Sequence, residues 1–367
     1  MKRTFKITAL LFAAAAVFFF TACGGGKTPE GPKQELSGVN NVIIMIGDGM
    51  GPVHEDAGRD AKGAPLSWDG FEHAAKVYTG SLNTAQFSYP VPTDSAAAAT
   101  ALATGKKASN GVIAKSIFGD DLETILDIAK TKNKATGVIT SDLLSGATPA
   151  AFSGHADGRG LEADIVSSQA VSGVDLLMGA STAAYGTARA AFEYNGYTYN
   201  TSLNAAKGAE GKLIGVFPGV TPSGAGTAET LQDMTVFALD YLSRNEGGFT
   251  LMIEGAKIDT ASHSNDLVSM LAEFAAFDEC VQIVRDWAEE NKDALVIVTA
   301  DHETGGLEFS GGKYVFTAGN SHTVTDVNCY MAGWPYDNPP FDGFTVGGHI
   351  DNTDIFKLMS LALGVNG

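Results

Sequence analysis

The sequence predicts a three-layer α/β/α sandwich around a large, mostly parallel central sheet. Three observations carry that expectation. Strand-like and helix-like segments alternate from Asn41 onward. Several strand candidates are unbroken apolar runs, as expected when helices cover both faces of a sheet. Acidic residues recur just past the ends of those runs, where open parallel sheets bind ligands.

The residues before Asn41 read as targeting rather than fold. Lys2, Arg3 and Lys6 form a basic start, and Ala9 to Phe20 an apolar stretch too short to span a bilayer comfortably. Phe20-Thr21-Ala22-Cys23 resembles a lipoprotein cleavage box. Residues 1–22 are therefore expected to be a lipoprotein signal peptide, with Cys23 lipid-anchored and residues 23–38 a flexible tether. That reading makes the protein exported, periplasmic or at the cell surface, and leaves 39–367 as one folded domain. The net charge is −18 and becomes more negative once those three bases are removed. Such a surface repels nucleic-acid backbones, so any phosphate must be captured locally, by metals or a specific arginine.

Strands are expected at 41–46, 76–82, 135–140, 174–178, 212–217, 249–253 and 295–299. Helical patterns fall at 122–130, 230–243 and 267–290. The last places Leu267, Leu271, Phe274, Phe277, Val281, Val284 and Ala288 on one face. The Gly-, Pro- and aromatic-rich stretch from Ser310 to Gly348 reads as an irregular excursion plus a terminal hairpin. An oxidising compartment permits a Cys280–Cys329 disulfide, although Cys280 lies on an apolar helix face and suits plain burial equally well.

The chemistry sits at strand ends. NVIIMI runs into Gly47-Asp48-Gly49-Met50-Gly51, FTLMI into Glu254, and LVIVTA into Asp301-His302. Uncompensated carboxylates in such a cluster raise one another's pKa values, and a divalent metal resolves the conflict. Asp259 and His263 stand four apart, one helical turn, the spacing of two ligands to one metal. His322, on its own residues, reads as a satisfied loop histidine. His54, His73, His155 and His349 show no ligand spacing and read as structural or surface groups.

Prolines 90 and 92 end any strand there, and an Ala-rich helix begins near Ser95. Thr93 or Asp94 is then an N-cap and Ser95 a first-turn residue. Alternatively Ser95 is a nucleophile at the positive helix end, activated by a metal rather than by histidine. The helix alone does not choose between these. Arg159 reads equally as a solvated surface group or as a fork for two phosphate oxygens.

The order GDGMG, DSAAAATALATG, ATPAAF…R, EG…ID…H, TADHETGG and SHT resembles the alkaline phosphatase family from about Asn41 to Leu363. The resemblance implies a phosphomonoesterase with a small, reduced crown-like insertion. It implies a first zinc on Asp259, His263 and His322, and a second on Asp48, Asp301 and His302, touching the Ser95 oxygen. A magnesium would use Asp48, Glu254 and Thr148. Arg159 would clamp phosphate, oriented by Asp94, and Ser95 would form a phosphoserine. Small phosphate monoesters would be the substrates and inorganic phosphate an inhibitory product.

Two positions depart from the family pattern: Gly146, where many members place an acidic or His residue near magnesium, and Thr260, where Lys or His is frequent. The short span from His302 to His322 removes insertions that often lie near a dimer interface, so a dimer is not implied. A phosphodiesterase or sulfatase of the same superfamily, and a non-catalytic phosphate-binding lipoprotein, are the competing readings. Sulfatases use a nucleophile motif this chain lacks, and diesterases usually lack an arginine like Arg159. A pure binding protein has no use for Ser95.

Overall fold

All seven apolar runs fold as strands of one sheet. The computed structural model describes residues 38–83, 91–224, 228–335 and 348–365. The signal-peptide expectation and the tether expectation up to residue 37, Cys23 included, fall on residues outside those. Described strands are β1 (Asn41–Gly47), β2 (His73–Tyr78), β3 (Ala135–Leu143), β4 (Leu176–Ala180), β5 (Tyr197–Asn200), β6 (Lys212–Phe217), β7 (Phe249–Gly255), β8 (Ala294–Thr299), β9 (Glu303–Thr304), β10 (Leu307–Ser310), β11 (Lys313–Phe316), β12 (His322–Thr323), β13 (Val327–Ala332) and β14 (His349–Asp351). Ten of them form one sheet in the order β14-β2-β13-β8-β1-β7-β3-β4-β6-β5.

β8, β1, β7 and β3 are mutually parallel central neighbours. Every residue of β1, β7 and β8 is buried, so both faces of the sheet centre are covered. Each Val, Leu or Ile side chain so buried contributes roughly 1.5–3 kcal/mol. The Leu267–Asn291 helix lies against this centre, with Phe274, Phe277, Val281 and Val284 buried as its period requires. Asp266 starts it by accepting from the Val268 and Ser269 amides.

Several expectations need correction. The strand expected at 76–82 runs instead from His73 to Tyr78, because its register is set by β13 and β14. The fourth strand begins two residues late, since Asp175 accepts from the Thr136 amide and hydroxyl instead of extending the ladder. The helix expected from Leu122 starts at Ile125, where a Thr124–Asp127 capping box sets its first turn. Between Ser310 and Gly348 the chain is not merely irregular. β13 lies between β2 and β8 and runs antiparallel to both, while the β10–β11 hairpin comes earlier, as the small insertion between His302 and His322. β5 and β14 escaped the sequence reading altogether. Cys280 and Cys329 are both free and buried, which settles the disulfide question.

Candidate active site

Three adjacent strands deliver the acids to one edge. Asp48 follows β1, Glu254 lies in β7 beside it, and Asp301 and His302 follow β8 on the other side. The turn after β1 is held open by Gly49, whose φ of 72° is left-handed, and a Cβ there would meet Asp259 at 2.9 Å. The Gly49 amide donates to Asp301 Oδ1 at 3.0 Å, joining two of these loops. The Lys257–His263 helix puts Asp259 and His263 on one face, with His263 Nε2 3.2 Å from Asp259 Oδ2. β12 pairs with β9 and so carries His322 in from elsewhere in the chain.

The histidine tautomers follow from their neighbours. His263 Nδ1 lies 2.8 Å from the Asn320 carbonyl, and His322 Nδ1 2.8 Å from the Thr93 carbonyl. Carbonyls only accept, so both Nδ1 atoms carry a proton. His322 Nε2 then presents a lone pair, while His263 Nε2 gives a second proton to Asp259, and that hydrogen bond holds His263 above its ordinary value. Those two Nε2 atoms face each other at 3.1 Å. Thr304 gives its hydroxyl proton to Asp259, so it accepts from His302 Nδ1. The His302 Nε2 lone pair then points among Ser95 Oγ at 3.2 Å, Asp301 Oδ2 at 3.2 Å and Asp48 Oδ1 at 3.7 Å.

Carboxylates and imidazole nitrogens packed this closely need a proton or a metal ion between them. Asp48 Oδ1 and Asp301 Oδ2 are buried without a hydrogen-bond donor among the described residues. Two donor groups have the compactness of a metal site, Asp48 with Asp301 and His302, and Asp259 with His302 and His322. His302 thus belongs to both groups, whereas the sequence reading placed it in one, and His263 joins the second through His322. A third set, all oxygen, surrounds Glu254. Thr140 donates to it, it sits beside Asp48, and Thr148 Oγ1 is 3.5 Å from Asp48 Oδ2.

The electrostatics agree. Burial first, then the charges of Asp301, Asp259 and Glu254, raise Asp48 well above the usual carboxylate range. Burial likewise pushes Glu254 up to about 8 and Asp301 to about 6. Asp259 is buried too, but hydrogen bonds from His263 and Thr304 and the nearby His302 ring hold it low. Burial lowers His302 to about 4, which keeps its ring neutral and fit to ligate.

A pH dependence of the metal-free protein follows. Carboxylates whose folded pKa is raised favour the fold below their unfolded value near 4, and that contribution is lost as pH rises through about 6 for Asp301 and about 8 for Glu254. His54 and His302, both lowered to about 4 by burial, oppose this only below about 6.5. The melting temperature in chelator should therefore climb as pH falls from about 8.5 to about 6.5. Scanning calorimetry showing a flat or reversed slope there would contradict a proton-holding cluster.

Ser95 is buried at the first turn of the Ser95–Thr104 helix, and Asp94 is its N-cap, accepting from the Ala97 amide at 3.0 Å. The capping and site readings thus hold together. Asp94 also accepts from the Gly111 amide and from Arg159 Nη1 at 3.1 Å. Arg159 is anchored by its own amide to the Gly111 carbonyl and keeps its side chain half exposed beside Ser95's cap. All of the predicted site residues therefore gather at one edge. His155 and His349 stay outside it, and His54 is buried behind it. Thr140, Thr304 and the carbonyls of Thr93 and Asn320 were missed. Thr304 follows directly on Asp301-His302-Glu303, but a carbonyl leaves no mark in a sequence.

A parallel sheet bearing a buried carboxylate–imidazole cluster, a helix-start hydroxyl and a guanidinium at its carboxyl edge defines a phosphoesterase. The chain belongs to the alkaline phosphatase family, whose model matches residues 39–179 and 192–338. It is 30% identical to alkaline phosphatase of Escherichia coli K12, over 94% of this chain and 92% of that one. It is 33% identical to alkaline phosphatase 4 of Bacillus subtilis, over 82% and 69%. Streptomycin-6-phosphate phosphatase of Streptomyces griseus is 32% identical over 89% and 90%. Among solved structures, alkaline phosphatase from the Antarctic bacterium TAB5 superposes with a TM-score of 0.79 at 25% identity, covering 90% of this chain and all of that one. A histidine-to-glutamate variant of that enzyme, described with magnesium bound, superposes equally well at 26% identity over the same shares.

Proposed function

We propose that this enzyme hydrolyses phosphate monoesters through a phosphoserine at Ser95, using two zinc ions and one magnesium ion. The observation that carries the proposal is the placement of Ser95 Oγ. It lies 3.2 Å from His302 Nε2, beside the unsatisfied oxygens of Asp48 and Asp301 and next to the Asp94–Arg159 pair. The mixed imidazole and carboxylate sets suit zinc: Asp259, His263 and His322 for one ion, Asp48, Asp301 and His302 for the other. The oxygen set of Asp48, Glu254 and Thr148 suits magnesium, which the TAB5 variant also binds. When bound, such ions lower the pKa of the serine hydroxyl and neutralise charge on the transferring phosphoryl group.

The chain's own residues supply the rest. Ser95 Oγ forms a bond to phosphorus as the bond to the leaving alcohol breaks, and water later splits the phosphoserine to release inorganic phosphate. The helix start stabilises the charge gathering at Ser95. Arg159, held by Asp94, presents its fork to two phosphate oxygens, which only a monoester leaves unesterified together with the one turned toward the metal cluster. Gly146 starts the Ala147–Ser153 helix with no side chain, and a Cβ there would meet the Leu143 carbonyl at 2.8 Å. The magnesium set therefore has fewer side chains to hold it, and weaker magnesium retention is expected. A streptomycin-6-phosphate phosphatase among the relatives agrees with a loosely specified alcohol portion. Export and anchoring through Cys23 belong to the same proposal, supported by the basic and apolar segments that precede it.

The test compares a chromogenic phosphate monoester with its diester at alkaline pH, before and after chelation with zinc and magnesium added back. Monoester preference that disappears with chelator and returns with both metals is expected, and Arg159→Ala should narrow the preference by weakening the monoester. A diester preference would favour the phosphodiesterase alternative. Inactivity with metals bound would favour a phosphate-binding protein.

A further inference from the structure

His54 lies on none of the ligand sets, yet it is fully buried behind them, on the first turn of the Pro52–Lys62 helix. Its Nδ1 sits 3.2 Å from the Gly51 amide, which only donates, so Nδ1 accepts and Nε2 carries the proton. Nε2 lies 3.1 Å from Ser262 Oγ. Ser262 in turn donates to the Ile258 carbonyl at 2.8 Å, so its oxygen is the acceptor for the His54 proton. Glu303 Oε1 lies 3.9 Å from Nδ1, and Phe316 lies against the ring at 6.2 Å between ring centres.

These contacts tie the Asp48 turn directly to the helix bearing Asp259 and His263, beside the links that Gly49 and Thr304 make to the loop after β8. Gly51 closes the turn that carries Asp48. Ile258 immediately precedes Asp259, and Ser262 immediately precedes His263. Thr304 links His302 to Asp259. The packing has little slack, because a Cβ at Gly51 would come within 2.1 Å of Glu303 Cγ. We propose that His54 is a positioning residue: as an Nε2-protonated imidazole it fixes Ser262, and with it the helix bearing Asp259 and His263, against the Asp48 turn. The inference rests on the metal-centre reading above. It assigns to a residue outside the centre the spacing between the two ligand sets.

Zinc-loaded full chain is used for the test, with the rate of zinc loss to a chelator and the kcat and KM for a monoester as readouts. Ser262→Ala leaves a good helix former in place and should fold normally. It and His54→Leu are expected to speed zinc loss by about ten- to a hundredfold and to lower kcat with KM unchanged. His54→Gln, which keeps an N–H at the same reach, should recover most of both. The double variant should be no worse than His54→Leu alone, since both remove one link. Wild-type chain that takes up no zinc overturns the metal-centre reading and this inference with it. Zinc-binding wild type, matched in both readouts by Ser262→Ala and His54→Leu, overturns this inference alone, and a merely lowered melting temperature in the variants counts as that result.

Discussion

Ser95→Ala is expected to cut monoester turnover by about four to six orders of magnitude, the scale seen when a covalent nucleophile is removed. The same variant should keep its metal content. Ser95 Oγ touches the cluster through His302 Nε2 at 3.2 Å, while Asp48, Asp301 and His302 keep their own backbone and side-chain supports. Its helix should also persist, because the capping oxygen belongs to Asp94 and alanine suits the first turn. Steady-state kinetics beside elemental analysis checks both halves. A variant that loses zinc, or one that stays nearly fully active, would remove Ser95 from the nucleophile's role.

Asp48→Asn should act in opposite directions on activity and on metal-free stability. Asp48 stands among Asp301, Asp259 and Glu254, and its Oδ1 is buried without a donor. Removing its charge relieves like-charge repulsion in a buried site, so the melting temperature in chelator should rise. The asparagine N–H groups can also donate to the carboxylates that remain. In the proposed metal centre the change replaces one oxygen of a carboxylate whose Oδ1 faces the zinc set and whose Oδ2 faces the magnesium set. Both metals should be held less tightly and turnover should fall by about a thousandfold or more. Calorimetry in chelator, paired with metal stoichiometry, separates this from simple unfolding. A variant destabilised without metals would mean that Asp48 serves the fold rather than a cation.

Much of this site was legible in the sequence because its key residues sit next to a local signal. An apolar run that ends in Gly-Asp-Gly, in Glu-Gly or in Asp-His announces a strand and then the residue at its carboxyl end. Asp259 and His263 are one helical turn apart, and helical geometry alone puts them together. Donor positions that depend on such short spacings could be read from periodicity. His322 and Arg159 could not, since nothing adjacent distinguishes them from loop residues, and only their place in the ordered motif set drew them in. The edge of the sheet was the hardest part. β13 alternates buried and half-buried residues within an irregular stretch, and its partners β2 and β8 are distant in sequence.

From the sequence alone came the α/β sandwich, the central strands, the acids beyond them and the order of the site motifs. Tertiary structure alone decided the strand order, the antiparallel β13, the free state of Cys280 and Cys329, and the His302 ring common to both donor groups. It also decided which ring nitrogen of each histidine faces an acceptor, through the carbonyls of Thr93 and Asn320 and the hydroxyl of Thr304. The division has one physical reason. Side-chain periodicity records how a segment meets its nearest layer, whereas a hydrogen bond to a distant backbone carbonyl depends only on where packing brings that carbonyl, and any residue type can supply it.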